Sequence, residues 1–284
     1  MHEALSSLAK QFEGLDSGRP SENLIGPSLR SYLPFVGEAY PLNDDNPRRP
    51  RVAFYSMAQN LAGHRTEVRR YASSKDKGAR RLYARWESKE RTLGIRPWQT
   101  LHAQILTGFA LRTLESRGFH QSVGCVTSNA VFTNFVKWSY QTKSGTDQNP
   151  PKDAFQYARR YVDLELDVLK PDLILAMGGK VHDAFGETPQ VVKVRHSSPL
   201  VTNSLRGVAR DLEHSPEPDE LIINPESLVA RWIETLSGLK FRLRQPDKET
   251  AEVGAEALYD PLMTDWLYYL LSERQIRAQM RSTT

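Results

Sequence analysis

Three short segments of the chain carry apolar runs of β-strand length, the first two of them almost without interruption. RVAFYSMA spans 51–58. PDLILAMGG spans 171–179, bracketed by Pro171 and by Gly178 and Gly179. QVVKVRHSSP starts at Gln190 and delivers His196 at the C-terminal end of its apolar part. Such runs predict strands covered on both faces. SVGCVTSN at 122–129 predicts a fourth strand, with AVFTNFVKW continuing it into a loop rich in Ser, Gly, Asn and Pro.

Between these runs the apolar positions recur at spacings of three and four. Val68, Tyr71, Ala79, Leu82, Tyr83 and Trp86 mark a helix over 67–91, and 98–117 marks another that ends at Gly118, as helices commonly do. Further helices are predicted from Asp153 to Leu169, from Lys180 to Phe185, and over 225–238 and 260–280. Residues 1–50 begin with a short helical pattern and then turn rich in Pro, Gly, Asn and Asp. PLNDDNPRRP within them reads as loop, because proline lacks a donor and Asn and Asp favour turns. Strands alternating with helices predict a three-layer α/β/α sandwich around a central, mainly parallel four-stranded sheet. In such sheets ligands gather beyond the C-terminal strand ends, where Asn60, Asn134 and His196 are expected.

The domain expectation follows the same pattern. Residues 1–50 form a helix and loop packed on the core, 51–205 carry the α/β domain with a basic helical insertion at 67–96, and 206–284 form a C-terminal helical extension of that domain. A chain of 284 residues with 39% hydrophobic content buries a full core. No run approaches the roughly 18 to 20 apolar residues of a membrane span. The start, MHEALSSLAKQFEGL, lacks the apolar core of a secretory signal, so a soluble, cytoplasmic protein is expected. Cys125 is the only cysteine, which excludes an intramolecular disulfide, a Cys-rich zinc site and a four-thiolate iron–sulfur cluster within one chain. No cofactor or metal is expected, and a monomer is.

Charge changes this picture. From Arg65 to Arg96 there are eleven Lys and Arg against four Asp and Glu, a local excess of seven cations on a chain of net charge +4, so the rest is net −3. A positive segment on a slightly acidic body suits a phosphate backbone, although charged helices also serve simply as solvated faces.

The candidate chemistry lies in FTNFVKW, then LKPDLILAMGGKVHDAF, then VVKVRHSSPL. In order and spacing these resemble the uracil-DNA glycosylase superfamily: Thr-Asn followed by two apolar residues and Lys at a base-reading strand, a Leu-x-Pro strand ending in Gly, and a final His-Ser-Ser-Pro. The resemblance covers about 51–200. It implies DNA as partner and a glycosylase that flips a base and hydrolyses its N-glycosidic bond, leaving an abasic site. Breaking that bond puts positive charge on the sugar and negative charge on the departing base, and a site must stabilise both. His196 would donate a hydrogen bond to the leaving base. Asn134, with a donor and an acceptor in one plane, would read the edge of the flipped base. Ser197, Ser198 and Pro199 would contact phosphates. A lone strand-end His is equally a structural residue, and Ser-Ser-Pro a simple turn.

Two stretches compete for the loop that holds the hydrolytic water. FVGEAYP imitates the family's first motif, but the loop from Pro41 to Pro50 does not lead into a helix. SMAQNLAGHRT follows the better strand, so the water loop is placed at 56–66. The acidic residue of the uracil-specific branch is missing there. Asn60 is then the candidate for orienting water, with Gln59 second and also a base-binding candidate. An amide is no base, but a dissociative transition state needs water oriented rather than deprotonated. Tyr40 is either a ring stacking on the base or a core residue, and Glu38 a possible carboxylate over the same pocket. Arg69, Arg70, Arg80 and Arg81 are the DNA-binding candidates of the basic segment. The altered loop and the insertion point to a bulkier or modified base, as in relatives that defend bacteria against phage DNA with modified bases. The alternatives are a catalytically silent nucleic-acid binder of the same fold, or an enzyme that holds a nucleotide or nucleoside at the strand ends.

Overall fold

The computed structural model describes residues 3–15, 34–42, 46–57, 101–137, 140–141, 147–186, 188, 190–195, 224–244 and 250–282. In chain order the regular elements are α1 (Glu3–Leu15), β1 (Phe35–Val36), β2 (Val52–Ser56), α2 (Leu101–Glu115), β3 (Gly124–Cys125) and β4 (Ala130–Asn134). They continue with β5 (Tyr140–Gln141), β6 (Asp147–Gln148), α3 (Lys152–Leu169), β7 (Leu173–Met177), α4 (Gly179–Phe185) and β8 (Val191–Val194). The last are α5 (Pro225–Thr235), β9 (Leu239–Arg244), β10 (Thr250–Val253), α6 (Tyr259–Thr264) and α7 (Trp266–Ser282).

The main sheet has the order β1-β4-β2-β7-β8. Its four longer strands are parallel, with Val52 opposite Ala130 and Leu173, and Ile174 opposite Val191. β1 pairs antiparallel with β4 at the edge, Phe35 opposite Phe132, so the central sheet has five strands where four are expected, and as a whole it is mixed. Every residue of β2 and β4 is buried. That is what an apolar run without alternation requires, because side chains on successive positions enter different layers. Val52, Phe54, Phe132, Leu173 and Leu175 face α2, α5 and α7. Ala53, Tyr55, Val131, Ile174 and Ala176 face α1, α3 and α4. Helices thus cover both faces.

α1 docks on α3 through Phe12 and Tyr161, whose rings meet edge to face at 5.0 Å, and Tyr157 Oη donates to the Leu15 carbonyl at 2.8 Å. Trp232 of α5 is fully buried between Phe109 of α2 and Tyr269 of α7. Removing a side chain of that size from a core costs about 3–5 kcal/mol. α3 ends at Lys170, the one non-glycine residue with positive φ (45°) among those described, and Pro171 then prevents continuation.

Three further expectations need correction. The strand expected over 122–129 is only the pair Gly124–Cys125, followed by a 3-10 turn at Val126–Ser128; the central strand is the next segment, Ala130–Asn134. Gly124 has φ +76°, which breaks an extended run early. The region after 205 is not purely helical: β9 and β10 form a hairpin that joins β3 in a second, three-stranded sheet. Gln104 of α2 holds that sheet by exchanging two hydrogen bonds with the backbone of Arg242, at 3.0 and 2.8 Å. The helix expected over 260–280 is two helices that break at Asp265.

Candidate functional site at the C-terminal edge of the parallel strands

The chain runs from β2 outward to β4 and then crosses back past β2 to β7 and β8. The connection after β2 leads to α2 on one face, and that after β7 leads directly to α4 on the other. Neighbouring strands whose connections diverge to opposite faces leave a crevice beyond their C-terminal ends. By that rule the switch point lies between the ends of β2 and β7, beside the end of β4.

Ser56 and Asn134 are paired in register at that edge, the last residues of adjacent parallel strands. The Ser56 hydroxyl hydrogen-bonds the Asn134 amide oxygen. Asn134 is 1% exposed. That hydrogen bond engages the amide oxygen as an acceptor within the protein.

Lys137, three residues on, turns inward. Its ammonium donates to the Asn134 carbonyl at 2.6 Å, to Thr133 Oγ1 at 3.0 Å and to Glu165 Oε1 of α3 at 2.5 Å. Both charged side chains are fully buried. Burial lowers the pKa of Lys137 and raises that of Glu165, and the attraction between the two opposes both shifts. Tyr55 lies against the pair, with the ammonium 5.8 Å from its ring centroid, and its phenol pKa is raised well above the usual value, by burial first and then by Glu165. The Lys of the Thr-Asn-x-x-Lys motif is therefore an anchor for the end of β4, not a ligand-facing cation.

A second polar cluster occupies the same edge on the face of α2 and α7. Tyr269 Oη lies 2.6 Å from His102 Nδ1, and His102 Nε2 lies 3.6 Å from Asp265 Oδ2. Tyr268 Oη donates to the Arg195 carbonyl at 2.8 Å, which ties α7 to the residue just past β8. Burial lowers the pKa of His102, with Asp265 opposing, and burial raises that of Tyr269. A neutral imidazole beside a carboxylate places its proton on Nε2, so Nδ1 accepts from the Tyr269 hydroxyl. His102 and Asp265 remain 29% and 24% exposed and can still meet a ligand. Sequence reasoning missed both, since nothing in their spacing joins α2 to a helix start more than 150 residues later.

Of the expected site residues, Asn134 sits at the C-terminal end of β4, beside the switch point. Tyr40 does not, and the expectation that it stacks on a base is corrected: it is a core residue at the opposite edge. There its hydroxyl donates to the carbonyl of Leu169, at the end of α3, at 2.8 Å, and burial raises its pKa. Glu38 lies on the same wrong side, accepting from Ser128 Oγ, just before β4 begins, at 3.2 Å. The physical reason is strand direction: β1 runs antiparallel to β4, so the chain leaving β1 heads for the N-terminal ends of the parallel strands. Gln59, Asn60, Arg69, Arg70, Arg80, Arg81, His196, Ser197 and Ser198 lie outside the described residues.

Among the described residues no helix is long and apolar enough to cross a membrane, and no group of three or more His, Cys, Asp or Glu is close enough to hold a metal ion. No protein-family model matches the chain, and no curated protein matches it either.

Proposed function

We propose that this chain is a DNA glycosylase of the uracil-DNA glycosylase fold, acting on a modified or damaged base, with phage DNA carrying modified cytosines as its setting. The observation that carries the reading is the pairing of Ser56 with Asn134 at the tips of adjacent parallel strands, beside the point where the strand order reverses. Four parallel strands with helices on both faces are also the core that the motif resemblance implies.

In this reading Asn134 donates to a carbonyl of the flipped base. Asn60, four residues after the end of β2, orients water toward C1′ of the sugar, with Gln59 beside it. As the C1′–N bond breaks, its electron pair leaves with the base, and His196, two residues past β8, donates a hydrogen bond to the resulting anion. Water adds to C1′ and loses a proton, which leaves an abasic site. Ser197 and Ser198 hold a phosphate, and the segment with Arg69, Arg70, Arg80 and Arg81 supplies the long-range attraction for DNA.

One observation favours a second reading, binding without catalysis: Asn134 is buried and its amide oxygen is already held by Ser56. Incubation with duplexes containing uracil, thymine mismatches or modified cytosines, followed by alkali, separates the two. Strand breaks at the altered base support the glycosylase. Retarded bands without breaks support the silent binder.

A further inference from the structure

On the face opposite the His102 cluster, α3 and α4 enclose a cavity of about 720 Å³. Both helices begin at the C-terminal edge of the sheet, since α3 ends just before β7 begins and α4 starts just after β7 ends. Their first turns, which carry Lys152 and Lys180, therefore lie at the same edge of the sheet as Asn134. Phe155 contributes to the lining, and its ring lies 5.8 Å from that of Phe135, the residue that follows Asn134.

Three cations line the cavity among the described residues, and they differ in what they already do. Arg159 is committed: it donates to the carbonyls of Ala184 and Phe185 at 3.1 and 2.8 Å, closing the end of α4, and it pairs with Asp163. Lys152 on α3 and Lys180 on α4 are exposed, and neither has a side-chain hydrogen-bond or ion-pair partner among the described residues. Asp183, the one carboxylate among the described lining residues, is approached by His182 Nδ1 at 3.3 Å. Lys152 is also the first residue of an 18-residue helix, where the helix dipole disfavours a cation. Among the described lining residues the two exposed lysines stand on opposite walls and outnumber the single carboxylate Asp183, and one of them is at an electrostatically unfavourable position, so this end of the groove suits an anion.

We infer that the α3–α4 groove is a phosphate-binding track for the nucleic-acid strand that presents a nucleotide at the strand ends, with Lys152 and Lys180 each meeting a backbone phosphate. The inference rests on the DNA reading of the site and adds where the flanking strand runs.

The test is the salt dependence of binding to a fluorescent single-stranded oligonucleotide, for the wild-type chain and for the double variant Lys152→Gln/Lys180→Gln. Both positions are exposed, so the fold is retained, which circular dichroism checks. Loss of two phosphate contacts reduces the slope of log K against log salt by about 1.4. Polyglutamate serves as the competing polyanion. A reduced slope for the oligonucleotide, with polyglutamate bound weakly and equally by both proteins, supports the track. Wild-type binding with an unchanged slope in the double variant overturns the groove and leaves the DNA reading standing. Polyglutamate binding that shows the same dependence on the two lysines assigns the groove to acidic peptide and also overturns it. Absence of any DNA binding by the wild type overturns both readings.

Discussion

Lys137 Nζ lies 2.5 Å from Glu165 Oε1, and the same ammonium reaches the backbone carbonyl of Asn134, so one fully buried ion pair fixes the end of β4 to α3. Removing one member of such a pair leaves an uncompensated charge in the core. Lys137→Met is expected to cost about 3–5 kcal/mol in urea unfolding, whereas Lys137→Met combined with Glu165→Leu recovers most of that loss. A single variant as stable as the double one contradicts the assignment.

Ser56→Ala removes the donor to the buried Asn134 amide oxygen. The expected cost is about 1 kcal/mol, the typical value of a lost hydrogen bond. Base excision falls in the same variant, because the amide loses the contact that sets its orientation. Chemical denaturation and an alkali-cleavage assay on the same preparations check both halves.

His102 makes stability depend on pH. Burial holds its pKa below the ordinary 6.5, so the unfolded chain takes up this proton before the folded one as pH falls. The contribution is fully present above about pH 6.5 and is lost as pH drops through the lower, folded value. The fall in Tm between pH 7.5 and 5.5 is therefore expected to be steeper in the wild type than in His102→Gln. Equal falls would show that His102 gains no proton on unfolding in this range.

Tyr40→Phe removes only the hydrogen bond to the Leu169 carbonyl, at a cost of about 1 kcal/mol. Since Tyr40 lies at the N-terminal edge of the parallel strands, excision is expected at the wild-type rate. A large loss of excision at full stability would return Tyr40 to the site.

The main strands and both covering layers were legible because buried parallel strands announce themselves as nearly unbroken apolar runs, and Val52–Ser56 and Leu173–Met177 fall within them; Val191–Val194 showed as a shorter run interrupted by the exposed Lys193. The segment around Gly124 misled because its apolar residues suggest a strand while the glycine's positive φ and the following 3-10 turn delay the central strand to Ala130. Asn134 was legible from its motif. Its supports were not: Glu165 meets Lys137 from a separate helix 28 residues later, and Tyr269 meets His102 across 167 residues. Tyr40 was misread because the direction of a two-residue edge strand leaves no periodic signal.

Whether Asn134 reads a base is measured most directly by mass spectrometry of the free base released from a panel of uracil-containing, mismatched and modified-cytosine DNA, comparing the wild-type chain with Asn134→Asp. Release by the wild type, slowed on the order of a hundredfold or more in the variant at matched folding, is the predicted result, because a carboxylate replaces the donor that meets the base. Equal release by both proteins, or no base released from any substrate, would contradict it.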